Sequence, residues 1–263
     1  MIDIEDHGAV RLISIANPPR HYMTAETAGQ MDEAVAAALA DPAVRVIVLT
    51  GGGEGVFIRH YDVGEIAAIC DAVEQGKVAG PMPRAATAIY RLQDRLLASD
   101  KPVIAAINGI AMGGGFETAL CCTLRVAAAG KYPIGLPETR LGIIPGAGGL
   151  QLLARAVGLA RATEMVLRGR VVCPEEALHL GMVHEVAAGP AHLRAIELGS
   201  ELAALPATAL AEVLGMARAV AAGETLAQGL DHAAAAFLRT LASGSGARAR
   251  VDRFLAQGED ILG

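Results

Sequence analysis

The 263-residue chain has no excess of basic residues, few cysteines and no long uninterrupted apolar run. Its formal net charge of −6 offers no basic surface to nucleic acid or to an anionic membrane. The four cysteines have no metal-site spacing, and the adjacent pair Cys121-Cys122 suits no disulfide framework. We therefore expect no nucleic-acid partner and no metal site, and we predict reduced thiols in a cytoplasmic protein.

The most apolar stretch of the sequence, from Pro102 to Ala129, is not a candidate membrane span. Asn108, Glu117 and Arg125 interrupt it, so no run of about 20 apolar residues remains. The first eight residues carry acidic side chains where a secretion signal has basic ones. We expect a protein that is not exported and has no membrane partner.

Hydrophobic periodicity predicts an α/β protein with a helical C-terminal part. Apolar residues on both sides of His7-Gly8 predict a hairpin, and Val44 to Thr50 predicts a strand that is covered on both faces. Strands occupy the first two-thirds of the chain. Nearly everything after His192 is predicted helical, with one of the breaks at 243–246. Further predicted elements are helices at 24–40 and 85–98 and a buried strand at 103–107.

Two carboxylates stand in glycine-rich surroundings between Lys101 and Gly149. Three glycines, Gly113–Gly115, precede Glu117 at the start of a helical segment, and Glu138 follows a proline before a second glycine-rich run. A glycine-rich turn that opens a helix presents backbone N–H groups beside the positive end of the helix dipole, which favours an anion or a developing oxyanion. Taken alone, Glu117 could serve only the helix dipole and Glu138 could be an exposed turn residue.

The stretch as a whole resembles the crotonase superfamily, whose best-known member is enoyl-CoA hydratase. The motifs K-P-V-I-A-A-I-N-G-x-A-x-G-G-G-x-E and P-E-x-x-L-G-I-I-P-G-A-G-G carry the resemblance, which spans roughly Ile13 to Phe254. It implies a spiral of ββα units over residues 1–200 that forms an acyl-CoA-binding catalytic core. It also implies a helical C-terminal extension over 201–263 that builds a homotrimer or a dimer of trimers, a hexamer.

The resemblance implies a hydro-lyase of fatty acid metabolism that adds water reversibly across the 2,3 double bond of a 2-enoyl-CoA. The thioester carbonyl is then held by the backbone N–H groups of Gly114 and Tyr61. Glu117 is the base that activates water, and Glu138 is the acid that protonates Cα. Coenzyme A belongs to the substrate, and we expect no separate cofactor. The substrate-binding residues implied are Phe57, Arg59, His60, Asp62, Lys101 and Gly113.

The main departure from the family pattern is Arg59-His60, which stands where the family usually has Ala-Gly. A histidine in place of the glycine either strains the backbone or indicates a different loop, and its side chain could contact substrate or a CoA phosphate, pack, or face solvent. Thr123 replaces an aspartate that is mainly structural in the family. We expect the acyl pocket to be lined by the segment from about Ile66 to Ile89 and by C-terminal helices.

Two alternatives to hydration remain open at this point. One is a different crotonase reaction, such as double-bond isomerisation or acyl-CoA hydrolysis, which Arg59-His60 encourages. The other is a non-catalytic acyl-CoA-binding trimer. The presence of both Glu117 and Glu138 favours hydration, because binding alone requires neither carboxylate.

Overall fold

Short apolar strands and amphipathic helices alternate along the chain, and the computed structural model describes residues 1–242, 244 and 246–257. Ser243, Ser245 and residues 258–263 lie outside the described residues, so part of the predicted break at 243–246 and the end of the 201–263 region have no structural account. The strands are β1 (Ile2–His7), β2 (Val10–Ile15), β3 (Val46–Gly51), β4 (Val56–Ile58), β5 (Val103–Ile107), β6 (Ile110–Met112), β7 (Leu124–Ala128), β8 (Ile134–Gly135), β9 (Val171–Val172) and β10 (Glu185–Ala187).

The helices cover the sheets and then continue alone to the end of the described chain. They are α1 (Ala25–Ala40), α2 (Val63–Glu74), α3 (Ala88–Leu97), α4 (Gly114–Leu120), α5 (Gly149–Val157), α6 (Leu159–Leu167), α7 (Pro174–Leu180), α8 (Ala191–Ala203), α9 (Ala207–Ala221), α10 (Leu226–Thr240) and α11 (Ala247–Gln257). Single 3₁₀ turns at Arg84–Ala86 and Glu138–Leu141 connect some of them.

Within the described residues the strands form two sheets. The larger sheet has the order β1-β2-β3-β5-β7-β10, with an antiparallel β1–β2 hairpin and parallel pairing from β2 onward. The smaller sheet has the order β4-β6-β8-β9. Consecutive strands thus alternate between the sheets, as in β3–β4, β5–β6 and β7–β8, and α2 and α4 follow the first two pairs. This arrangement confirms the predicted spiral of ββα units.

The central strands of the larger sheet, β3 and β5, are buried on both faces, as their apolar patterns predict. Along β3, Ile47 and Leu49 face the main core with α1 and α3, while Val46 and Val48 face a second core against α8. This separation follows from the two-residue period of a strand, which sends successive side chains to opposite faces. Continuous apolar strands are what such a doubly covered parallel sheet requires.

Helix α8 packs on the larger sheet, whereas the helices after it form the C-terminal extension. Its residues Ala191 and Ala195 lie in the second core, so the predicted boundary between residues 200 and 201 falls inside a helix that packs on the strands. Among the described residues, no single helix has the length and apolar character to cross a membrane; α8 and α9 reach those values only together, with a bend of 109° between them.

The side chain of Asn108 joins the ends of β3 and β5. Its Nδ2 donates to the carbonyl oxygens of Gly51 and Gly53, both at 3.0 Å, and its Oδ1 accepts from the Gly51 N–H at 3.1 Å. Gly109 follows, and the chain then enters β6 in the smaller sheet. Asn108 therefore fixes the point at which the chain passes from one sheet to the other, directly before the predicted site.

Candidate active site

A cavity of about 630 Å³ opens beside the start of α4. Its polar lining consists mainly of residues from the sequence-predicted site, and its apolar lining comes from α2, from residues 82–90 and from residues 141–147. The polar residues from the predicted site are His60, Tyr61, Gly113, Gly114, Glu117 and Glu138, and Glu74, Thr87 and Tyr90 add to them; the apolar residues include Val63, Ile66, Ile69, Val73, Met82, Ile89, Leu141, Ile143 and Ile144. The structure thus brings the two carboxylates and both predicted N–H donors to one cavity.

The glycine triplet allows α4 to begin against β4. Gly113 has φ +51°, a left-handed conformation that favours glycine, and a Cβ added to Gly115 would lie 2.2 Å from the backbone oxygen of Ile58. No larger residue fits at Gly115 without moving one of the two segments. This close approach sets the backbone of Gly114 beside Tyr61, which follows β4 in the sequence.

The two predicted donors, the N–H groups of Tyr61 and Gly114, belong to residues that lie close together in the cavity lining. A Cβ added to Gly114 would lie 3.2 Å from the Tyr61 Cβ and 3.6 Å from the Tyr61 nitrogen. In the part of the chain that the structure describes, neither N–H donates to a protein acceptor. Two unpaired donors held side by side, one of them in the first turn of a helix, are suited to a negatively charged oxygen.

Glu117 is almost completely buried, with 3% of its surface exposed. Its Oε1 accepts from the N–H groups of Ala147, at 3.0 Å, and Gly149, at 2.9 Å, where α5 begins. These contacts stabilise the carboxylate, but burial and then the charge of Glu138 outweigh them and raise the pKa of Glu117 to about 7. Near neutral pH this carboxyl can therefore both accept and release a proton.

Glu138 lies in the 3₁₀ turn that follows β8. Burial raises the pKa of this carboxyl, and a backbone hydrogen bond only partly opposes the rise. Among the described residues its Oε2 is buried without a hydrogen-bond partner, and its Oε1 lies 3.0 Å from the position of a Cβ added to Gly113. Glu138 is therefore directed at the glycine triplet, with one oxygen unpaired.

His60 lines the cavity without backbone strain. Among the described residues the non-glycine with a positive φ is His21, so the strained alternative for His60 does not apply. Its Nδ1 lies 2.7 Å from the Tyr61 carbonyl oxygen, and its ring stacks on Tyr22 with centroids 4.3 Å apart. The neighbouring Arg59 donates to the carbonyl oxygen of Arg20 at 3.1 Å and does not line the cavity.

Three other predicted substrate-binding residues are not brought to the cavity. Lys101 donates from Nζ to the carbonyl oxygens of Ala38 and Asp41, at 3.0 and 2.7 Å, before β5 begins. Phe57 is buried in the main core. Asp62 caps α2 by accepting from the Glu65 N–H at 3.0 Å. These contacts place the three side chains in structural positions.

Sequence reasoning missed Ala147 and Gly149 as holders of Glu117, and it missed Tyr22 beside His60. A signal for the first pair exists, because the G-A-G-G run that opens α5 presents free N–H groups in the same way as the glycine triplet. Tyr22 has no comparable signal, since only folding brings it to His60. Among the described residues no cluster of three His, Cys, Asp or Glu side chains could hold a metal ion.

A family model described as enoyl-CoA hydratase/isomerase matches residues 5–257. The chain belongs to this family. Its relatives include the short-chain-enoyl-CoA hydratase of Clostridium acetobutylicum, which is 34% identical over 184 residues, or 70% of this chain and 67% of that protein. A peroxisomal bifunctional enzyme of Danio rerio is 40% identical over 178 residues, which cover 68% of this chain and 23% of that enzyme. The chain thus matches about a quarter of that longer relative.

A solved structure of the enoyl-CoA hydratase family confirms the fold. The enoyl-CoA hydratase from Polaromonas sp. JS666 has a TM-score of 0.84 to this chain at 28% identity, and the match covers 97% of each chain. The crotonase-like α/β spiral with C-terminal helices is therefore established for nearly the whole length.

Proposed function

We propose that this protein adds water reversibly across the 2,3 double bond of a 2-enoyl-CoA, with coenzyme A as part of the substrate and no separate cofactor. One observation carries the proposal. Two carboxyl groups with raised pKa values and two unpaired backbone N–H groups line a single cavity. Addition of water to a conjugated thioester needs a base, an acid and a site for the charge on the thioester oxygen.

The N–H groups of Tyr61 and Gly114 form the oxyanion hole. When water attacks C3, the electron pair of the double bond moves toward the thioester and leaves negative charge on its oxygen. Donors that are already fixed in place stabilise this charge without reorganising, and removal of one such donor typically costs about 10²–10³ in kcat. Within the described part of the chain neither N–H has a protein acceptor, which supports this role.

Glu117 and Glu138 then share the proton transfers. Glu117 in its ionised form takes a proton from the water as the water oxygen bonds to C3, and protonated Glu138 gives a proton to C2. The proton on Glu117 then passes to Glu138, and the reverse sequence removes water. A pKa of about 7 for Glu117 suits a group that must be ionised before the reaction and protonated after it.

The test is loss of the conjugated thioester absorbance of crotonyl-CoA, with Glu117→Gln and Glu138→Gln compared with Glu33→Gln, a control at an exposed position of α1. Loss of either acid–base group is expected to lower kcat by about 10²–10⁴, and Glu33→Gln should leave it unchanged. Hydration that survives both glutamine substitutions contradicts the mechanism. A product of unchanged mass would indicate isomerisation, and binding without turnover would indicate the non-catalytic alternative.

We also propose a homotrimer or a dimer of trimers in the cytoplasm, acting in fatty acid metabolism. Exposed apolar side chains on α9 and α10 support the assembly, because apolar surface of this kind is usually covered by a partner. They include Val213, Val220, Leu226, Leu230, Phe237 and Leu238. Sedimentation equilibrium tests the assembly, and a monomer at micromolar concentration would contradict it. Fractionation of cells tests the compartment.

A further inference from the structure

The main chain around Tyr61 is fixed by hydrogen bonds on both sides of its N–H, which has no acceptor among the described residues. The Met23 N–H donates to the His60 oxygen at 2.9 Å, and the Asp62 N–H donates to the Met23 oxygen at 2.7 Å. The Tyr61 carbonyl oxygen has a separate partner, the Nδ1 of His60, at 2.7 Å. The peptide groups before and after the Tyr61 Cα therefore each have hydrogen-bond partners, and the side chain of His60 provides one of these bonds.

The geometry defines how the His60 ring must be protonated and what holds it. A carbonyl oxygen can only accept, so Nδ1 must carry the proton that is donated to Tyr61. The ring plane lies 30° from that of Tyr22 in a stacked arrangement. Tyr22 is itself fixed, because its carbonyl oxygen accepts from Asn17 Nδ2 at 2.9 Å. His60 thus connects the loop before α1 to the carbonyl of Tyr61.

We propose that His60 is a positioning residue for the oxyanion hole, and this inference rests on the proposed function. Its Nδ1–H, steadied by the stack on Tyr22, holds the Tyr61 main chain so that the N–H stays beside Gly114. Preorganised donors lose most of their effect when they are displaced or mobile. The Ala-Gly pair of the family pattern has no side chain that could make either contact.

A matched pair of amide substitutions separates this role from a direct contact with substrate. In His60→Asn the amide nitrogen replaces Nδ1, whereas in His60→Gln it reaches about as far as Nε2. His60→Asn should keep kcat within about threefold, and His60→Gln and His60→Ala should lower kcat about tenfold, part of the effect of losing a whole donor. KM should change by less than about threefold in all three, because the affected interaction strengthens in the transition state.

Several outcomes overturn the proposal. Equal kcat values for His60→Asn and His60→Gln remove the role of Nδ1, and a rise in KM at unchanged kcat assigns His60 to substrate binding instead. Tyr22→Phe should retain the stack and wild-type kcat, while Tyr22→Ala should resemble His60→Ala; wild-type kcat in Tyr22→Ala removes the role of the stack. His179→Ala, at an exposed position of α7, is the control. Thermal unfolding of each variant verifies that it is folded.

A spectroscopic measurement keeps this inference separate from the proposed function. Cinnamoyl-CoA absorbs at longer wavelength when its carbonyl is polarised, so its red shift on binding reports the oxyanion hole whether or not water is added. The wild type and His60→Asn should give the same shift, and His60→Gln a smaller one. Equal shifts in all three overturn the positioning role. Absence of crotonyl-CoA hydration by the wild type overturns only the proposed function.

Discussion

Helices α4 and α2 each begin beside one donor of the proposed oxyanion hole, yet they are packed in opposite ways. Every residue of α4 is buried, whereas in the described structure no residue of α2 is. Close-packed segments resist displacement, and segments with few buried contacts open and adapt more readily. Two of the four proposed reacting groups, Gly114 and Glu117, thus lie on a helix that cannot move without disturbing the core, and part of the apolar wall lies on a helix that can.

The sharpest test of this contrast replaces one glycine on each side of the cavity. Gly115→Ala forces a Cβ to within 2.2 Å of the Ile58 oxygen, and Gly80→Ala, in the segment after α2, meets nothing within 4 Å. We expect Gly115→Ala to lower the free energy of unfolding by about 3 kcal/mol and Gly80→Ala to change it by less than about 0.5 kcal/mol. Urea unfolding measures both. Similar effects of the two substitutions would contradict the difference in packing.

A second test uses the ionisation of the buried carboxyl on α4. The pKa of Glu117 rises from 4.5 to about 7 on folding, so between these values the native state binds more protons than the unfolded state. The contribution of Glu117 is therefore fully present below about pH 4.5 and is lost as the pH rises toward 7. Its slope is at most about −1.4 kcal/mol per pH unit.

Urea unfolding at several pH values between 5 and 7 should accordingly show a shallower decline for Glu117→Gln than for the wild type. Glu74→Gln, at an exposed position of α2 in the cavity wall, controls for the loss of one negative charge at the cavity. An identical pH dependence in the wild type and in Glu117→Gln would mean that folding does not raise the pKa of this carboxyl.

A third test replaces apolar side chains of α2, where only a small effect on stability is expected. Ile69 and Val73 line the cavity and are also exposed, so their replacement by alanine should change the free energy of unfolding by less than about 1 kcal/mol. If α2 contacts the acyl chain, kcat/KM for long enoyl chains should fall about threefold to tenfold relative to crotonyl-CoA. Ile4→Ala, at an exposed position of β1, is the control. If kcat/KM depends on acyl-chain length in the same way in these variants and in the wild type, α2 does not determine which acyl chain is accepted.

The sequence predicts the long elements of the fold well and the shortest ones poorly. The buried strand predicted at 103–107 is β5 as observed, because five apolar residues are bounded by a proline and an Asn-Gly turn. Strands β6 and β8 were not predicted, since three or two residues show no readable period.

The residues of the candidate site were likewise predictable only where the signal lies in neighbouring residues of the sequence. Glu117, Glu138, Gly114 and Tyr61 could be named because they stand in an ordered motif or at a fixed distance from one. Lys101 could not be placed, because the carbonyl groups that bind its ammonium are more than 50 residues earlier in the chain. The partners of His60 likewise depend on the fold.

Asn108 shows that a side chain can substitute for main chain. Its carboxamide has the oxygen acceptor of a peptide group and two N–H donors where a peptide has one, and it accepts from the Gly51 N–H while donating to the carbonyl oxygens of Gly51 and Gly53. The backbone is therefore released to turn at Gly109 while the neighbouring strand keeps its partners. An aspartate at this position has no N–H to donate. It would leave the carbonyl groups of Gly51 and Gly53 unpaired at the turn between β5 and β6, directly before the candidate site.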